Sequence, residues 1–158
     1  MCDIVEADKP MFCSCFGHQA LALALGGAVE TDKSRAELGT HSVTLNEAGR
    51  RDPLFEGLGN TFEAQFGHND FVARLPTSAV NLAYTELCAV QAYRLEGKPV
   101  YSTQFHPELS HSENRERAER YLRVYAPELT DPERLKELFR PSEAASSLLP
   151  RFVRMMFG

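Results

Sequence analysis

The stretch MFCSCFGHQALALALGG, Met11–Gly27, decides how the chain is read. KPMFCS, bounded by Pro10, has the apolar character of a buried strand. Phe16 to Leu25 then reads as a helix, and the pair Gly26-Gly27 stops it. A cysteine at a strand–helix junction is half of a metal or redox pair, a small buried apolar residue, or a nucleophile on an elbow. A metal pair needs further Cys or His ligands at suitable spacing, and none that convinces accompanies Cys13 and Cys15. An elbow crowds the residues two before and two after the nucleophile, so both are small. Around Cys15 these are Cys13 and Gly17; around Cys13 one of them is Met11, which is too bulky. The spacing therefore selects Cys15, with Cys13 a larger flank than the usual glycine. A helix N-terminus favours negative charge, the thiolate is the reactive form of cysteine, and the Phe16 amide is placed to donate to an oxyanion.

A thiol nucleophile needs a base, and the base needs an orienting group. QFHPE supplies both at the end of an apolar strand. His106 and Glu108 lie two residues apart and share one side of an extended chain, so Glu108 can hold one imidazole nitrogen while the other meets Cys15. Taken singly, a cysteine before a helix is most often packing. A C-x-G-x-Q elbow followed by a strand-ending H-P-E is the combination that points to chemistry. His18 reads as a helix-surface or packing residue, and His41 and His111 as residues of polar loops.

The 158 residues fit one domain with a real core. A net charge of -5 leaves no basic excess for phosphates, which argues against nucleic acid. No apolar run approaches the ~18 residues of a membrane span, and the acidic N-terminus lacks the pattern of a signal peptide. A cytoplasmic protein is expected, with Cys2, Cys13, Cys15 and Cys88 as free thiols. Further strands are expected at HSVTL, NTFEAQF and AVNLAYTE, and on both sides of a hairpin at LEGKP. RRDPLFEGLGN reads as a loop with a helical turn, and GHND as a polar turn. Ser112 to Tyr125 put Ala118, Tyr121, Leu122 and Tyr125 on one helical stripe, and helices follow at 131–139 and 142–157. This alternation is that of an α/β domain.

With these residues in view, the chain resembles a class I, triad-type glutamine amidotransferase domain, in particular its GMP-synthase-like branch. CSCFGHQ resembles the family's G-x-C-x-G-x-Q elbow, and QFHPE its His-Glu motif. AELGTHSVTLNEAGRRDPLFEGL and FGHNDFVARLP are similar to the section between them, so the likeness runs from Lys9 to Leu109. The resemblance implies a flavodoxin-like fold: an incomplete three-layer sandwich around a mixed, mainly parallel sheet with a nucleophile elbow, plus C-terminal helices. Residues 1–125 would form this domain and 126–158 a helical extension packed on it.

The resemblance also implies a reaction. Cys15 would attack the glutamine side-chain amide, His106 would pass the proton to ammonia, Glu108 would orient His106, and water would cleave the γ-glutamyl thioester. Gln19 matches a substrate-contacting glutamine, and Gly67, His68, Asn69 and Asp70 match the loop that holds the amino-acid end. No cofactor or metal is implied. Ammonia must reach an acceptor, so a synthase subunit or complementing chain is the expected partner besides glutamine. The family places several strands, and a glycine-rich loop with a second oxyanion donor, ahead of the elbow. Only about ten residues precede it here, so an N-terminally truncated domain with an uncovered β edge is expected. Two other readings share these motifs: a catalytically impaired remnant serving as a binding or regulatory module, and a γ-glutamyl Cys-His hydrolase. Gln19 and the H-P-E favour the amidotransferase.

Overall fold

A computed structural model describes residues 1–125 and 131–158. The chain opens with a short helix, α1 (Cys2–Glu6), and runs into β1 (Met11–Ser14), α2 (Phe16–Ala24) and β2 (Ala28–Thr31). β3 (Glu37–Leu45), α3 (Glu47–Arg51), β4 (Thr61–His68), β5 (Asp70–Arg74), β6 (Ala79–Tyr84), β7 (Ala92–Leu95) and β8 (Val100–Thr103) follow. Four helices complete it: α4 (His111–Tyr125), α5 (Pro132–Leu138), α6 (Glu143–Ser146) and α7 (Leu148–Phe157).

Six strands form one sheet in the order β1-β8-β7-β6-β3-β4, and β2 and β5 form a separate ribbon. The sheet is mixed with flanking helices, but it is not mainly parallel. Among the described residues only β1 and β8 run parallel, while β8–β7, β7–β6, β6–β3 and β3–β4 are antiparallel. A parallel pair requires a long crossover, and only the β1-to-β8 excursion provides one. The expected hairpin at LEGKP, turning at Gly97 with φ +69°, is one of the short connections that reverse the chain instead.

Period-two alternation sorts side chains between the two faces. Tyr101, Ala92 and Phe66 join the cluster that also holds Ala145, Leu148 and Phe152 of α6 and α7. Val100, Tyr93 and Cys13 face the opposite way, onto Leu21 and Ala22 of α2, Val72 of β5 and Val5 of α1. Phe12 meets Phe152 edge-on at 5.4 Å, so β1 is covered on both faces. Gly27 lets the chain leave α2 closely, since a Cβ there would lie 2.7 Å from the Arg74 carbonyl oxygen.

Other expectations shift in detail. α1, β2, α3 and β5 fall where no element was expected. On α4, Ala118 and Leu122 are buried with Leu135 and Phe139 of the following helix segment, but Tyr121 is 53% exposed. The Tyr125 side chain and residues 126–130, where the extension was expected to begin, lie outside the described residues. His41 belongs to β3 rather than a loop, its Nε2 3.0 Å from the Leu38 carbonyl, and His111 opens α4. His18 is fully buried packing, with Nδ1 2.8 Å from the Ser102 hydroxyl. All four cysteines are free, and among the described residues no helix is long and apolar enough to cross a membrane.

Candidate active site

β1 delivers Cys15 directly to the start of α2. Its amide donates to the Thr103 carbonyl at 2.9 Å, which anchors the turn to β8. The residue itself adopts φ 46° and ψ −106°, the left-handed region that non-glycine residues enter only under tertiary constraint. The crowding expected of an elbow is present: a Cβ on Gly17 would sit 3.4 Å from the Cys13 Cβ. Cys13 is accommodated because its side chain turns into the apolar cluster beneath α2. Burial pushes its thiol up, against the nearby N-terminal charge. Phe16, whose amide is the candidate oxyanion donor, points its ring outward at 80% exposure.

β8 ends at Thr103, and His106, expected at the strand end, begins the other half of the site three residues beyond it. The His106 amide donates to the Gln65 carbonyl at 2.8 Å, so β4 fixes its backbone. Nδ1 lies 2.6 Å from Glu108 Oε1, the pairing expected of residues two apart. Burial disfavours a charged ring, but hydrogen bonding and charge from Cys15 and Glu108 outweigh it and raise His106 to about 9. Glu108 moves the other way. Burial works against its carboxylate, and hydrogen bonds from His106, the backbone and the Ser14 hydroxyl, with the His106 charge, hold it below the usual range.

Two residues that sequence reasoning did not single out complete the surroundings. Gln104, fully buried, directs Nε2 at Cys15 Sγ at 3.7 Å. Arg117 of α4 places Nη1 3.0 Å from His106 Nε2. Gln104 sits inside QFHPE, so its presence was visible; Arg117 is one of many charges on an amphipathic helix, and nothing in its spacing marks it.

Gln19 sits one turn into α2, and its Nε2 donates to the Asp70 carbonyl at 2.7 Å and to Gln104 Oε1 at 3.1 Å. This ties the elbow to the place where the chain passes from β4 to β5. The expected polar turn there contracts to Asn69 alone, because Gly67 and His68 end β4 and Asp70 opens β5. Pairing with two different partners, β3 and β2, makes this a switch between sheets. His68 is buried, with Nδ1 3.0 Å from the Asp70 carbonyl and Nε2 3.0 Å from Glu37 Oε2. Gly67, His68 and Asn69 line an open cavity of about 370 Å³ together with Asn114, Arg117 and Tyr121.

Among the described residues, one group has metal-ligand character: Glu37, His68 and Cys88, with donor atoms within 4.8 Å of one another. Their valences are already used. Glu37 Oε2 accepts from His68 and Gln91, and Cys88 Sγ faces the Arg35 carbonyl at 3.7 Å. The set reads as a buried hydrogen-bond network.

Residues 1–122 match the family model "Glutamine amidotransferase class-I". A glutamine-hydrolyzing GMP synthase subunit from Methanosarcina barkeri is 39% identical over 111 residues, 70% of this chain and 57% of that protein. The protein of the same name from Methanocaldococcus jannaschii is 36% identical over 109 residues, covering 69% and 56%. The chain thus spans little more than half the length of these relatives. A glutamine amidotransferase crystal structure from Thermotoga maritima superposes with a TM-score of 0.77 at 23% identity, over 99% of this chain and 66% of that one, a likeness of fold. With most of its length inside the family model, this chain belongs to the class-I glutamine amidotransferase family.

Proposed function

We propose that this chain hydrolyses the side-chain amide of glutamine to glutamate and ammonia through Cys15, His106 and Glu108. One observation carries the reading: a cysteine in a strained conformation at a helix start interacts with a buried imidazole whose far nitrogen is held 2.6 Å from a carboxylate. His106 takes the thiol proton, the sulfur attacks the amide carbon, and the imidazolium returns the proton to the departing ammonia. Water then attacks the γ-glutamyl thioester with His106 as base. The Phe16 amide stabilises the oxyanion in both steps. Gln19 and the Gly67–Asp70 switch form the wall that receives the amino-acid end of the substrate.

Ammonia is useful only when handed to an acceptor. A synthase subunit or complementing chain is therefore the proposed partner, a reading supported by relatives whose names denote one subunit of GMP synthase. β1 pairs only with β8 among the described residues, and its open edge is where such a chain would add strands. We place the activity in the cytoplasm, in keeping with free thiols, and read 126–158 as an extension of the one domain, supported by α6 and α7 sharing its core.

The test is ammonia release from glutamine by the wild-type chain and by Cys15→Ala. Release that vanishes in the variant supports the reading. Release that persists, or turnover of γ-glutamyl peptides without turnover of glutamine, overturns it.

A further inference from the structure

Helix α4 brings a cation to the imidazole that the proposed chemistry depends on. Arg117 Nη1 lies 3.0 Å from His106 Nε2. A guanidinium only donates and stays charged, so this contact requires a bare lone pair on Nε2. The ring proton is then on Nδ1, facing Glu108. Nε2 is the nitrogen left to receive the Cys15 proton, and Arg117 occupies it. The charged and titratable groups facing the ring are Cys15 at the start of α2, Glu108 after β8, and Arg117 on α4. The first two draw a second proton onto the ring; the third opposes it. A proton on Nε2 and the Arg117 contact compete for the same lone pair.

Arg117 also faces the cavity beside the site. Its side chain is exposed, and among the described residues it forms no ion pair. The other fully charged lining group, Glu37, is tied to His68 and Gln91. A carboxylate entering the cavity therefore meets Arg117 as an unpaired cation, which a guanidinium binds through two parallel N–H groups. In glutamine the amide carbon and the α-carboxylate are separated by about 5 Å of extended chain, from bond lengths near ~1.5 Å. Both ends fall within the neighbourhood of a guanidinium that already touches His106.

We propose that Arg117 is a substrate-operated cap: it holds His106 Nε2 in the empty site and moves onto the α-carboxylate of an incoming amino acid, freeing Nε2 for the Cys15 proton. This rests on the Cys15–His106 reading above. The proton balance is internal. The thiol proton moves to Nε2, Nδ1 keeps its own proton toward Glu108, and the products are a thiolate and an imidazolium. Arg117 is a positioning residue before substrate arrives and a specificity determinant for a free α-carboxylate afterwards.

The experiment measures alkylation of Cys15, site-resolved by mass spectrometry at pH 7, with neutral iodoacetamide and anionic iodoacetate. Wild type, Arg117→Gln, Arg117→Lys and His106→Asn are compared as full chains. Arg117→Gln should raise the iodoacetamide rate, and lower the iodoacetate-to-iodoacetamide ratio, each by at least about threefold, the scale of one exposed charge contact. Arg117→Lys should keep most of the wild-type ratio. By NMR the His106 ring should titrate higher in Arg117→Gln than in wild type. Unchanged rates and ring titration in Arg117→Gln overturn the cap alone if His106→Asn still slows alkylation. If His106→Asn changes nothing, the Cys15–His106 reading falls and the cap with it.

Discussion

Two Cys–His–Glu groupings occur in this fold, Cys15–His106–Glu108 and Cys88–His68–Glu37, and their surroundings give them opposite characters. In the second, the His68 and Glu37 side chains are each only 1% exposed, and both ring nitrogens face acceptors, the Asp70 carbonyl and the Glu37 carboxylate. Both nitrogens are thereby committed to fixed partners. Burial pushes the Cys88 thiol up to about 11, with the Glu37 charge adding to it, and the residue lies in the connection between β6 and β7 rather than at a helix start. In the first grouping, Glu108 is 40% exposed, His106 is shared between an acceptor and the donor Arg117, and the cysteine stands at a helix start in a strained conformation. The same three residue types thus make a lock at one place and, under the proposed function, a proton-transfer unit at another. What separates them is whether every lone pair and proton is already committed.

Substitutions should divide along that line. The largest effect is on chemistry: Cys15→Ala should cut ammonia release by at least about 10⁴-fold, roughly 5.5 kcal/mol of barrier, with the urea midpoint almost unmoved. Next is the lock. Glu37→Ala leaves His68 buried without its counter-charge and should cost about 3 kcal/mol of folding stability in urea titration. Glu108→Gln should slow ammonia release by about 10²-fold while stability changes little, because that carboxylate is partly solvated. Cys88→Ala should cost about 1 kcal/mol or less, as loss of a small buried group, and leave the rate alone. A Cys88→Ala variant that lost activity would erase the distinction between the two groupings.

The pH dependence sharpens the same contrast. Burial opposes the Glu37 carboxylate, yet hydrogen bonds from His68, Thr85 and Gln91 and the His68 charge hold it below the ordinary value. A depressed carboxylate contributes stability above its unfolded pKa, about 4.3, and loses it as pH falls through the folded value. Acid titration of the urea midpoint should therefore fall more steeply in wild type than in Glu37→Gln below about pH 4.

How much of this was legible in the sequence follows from the range of each interaction. The elbow is local: the small flank Gly17, the β1–α2 junction and the apolar stripe of α2 all lie within Met11–Gly27. The His106–Glu108 pair is local too, between residues two apart, although a turn after β8 closes it rather than the extended chain that was expected. Antiparallel pairing of most of the sheet was not visible, because short apolar runs look alike whichever way their neighbours point. The β2–β5 ribbon joins segments far apart in the chain, and its exposed Glu30, Thr31 and Arg74 hide the strand pattern. The His68–Glu37 pair and the reach of Arg117 to His106 exist only once β4, β3 and α4 are packed.

The most direct measurement is site-resolved labelling of the native chain by a glutamine-analogue electrophile at neutral pH. The account predicts an adduct on Cys15, protection by glutamine, and Cys13 and Cys88 unlabelled until the chain is unfolded. An adduct on Cys13 or Cys88 in the native chain, or a Cys15 that reacts no faster than an unfolded thiol, would contradict it.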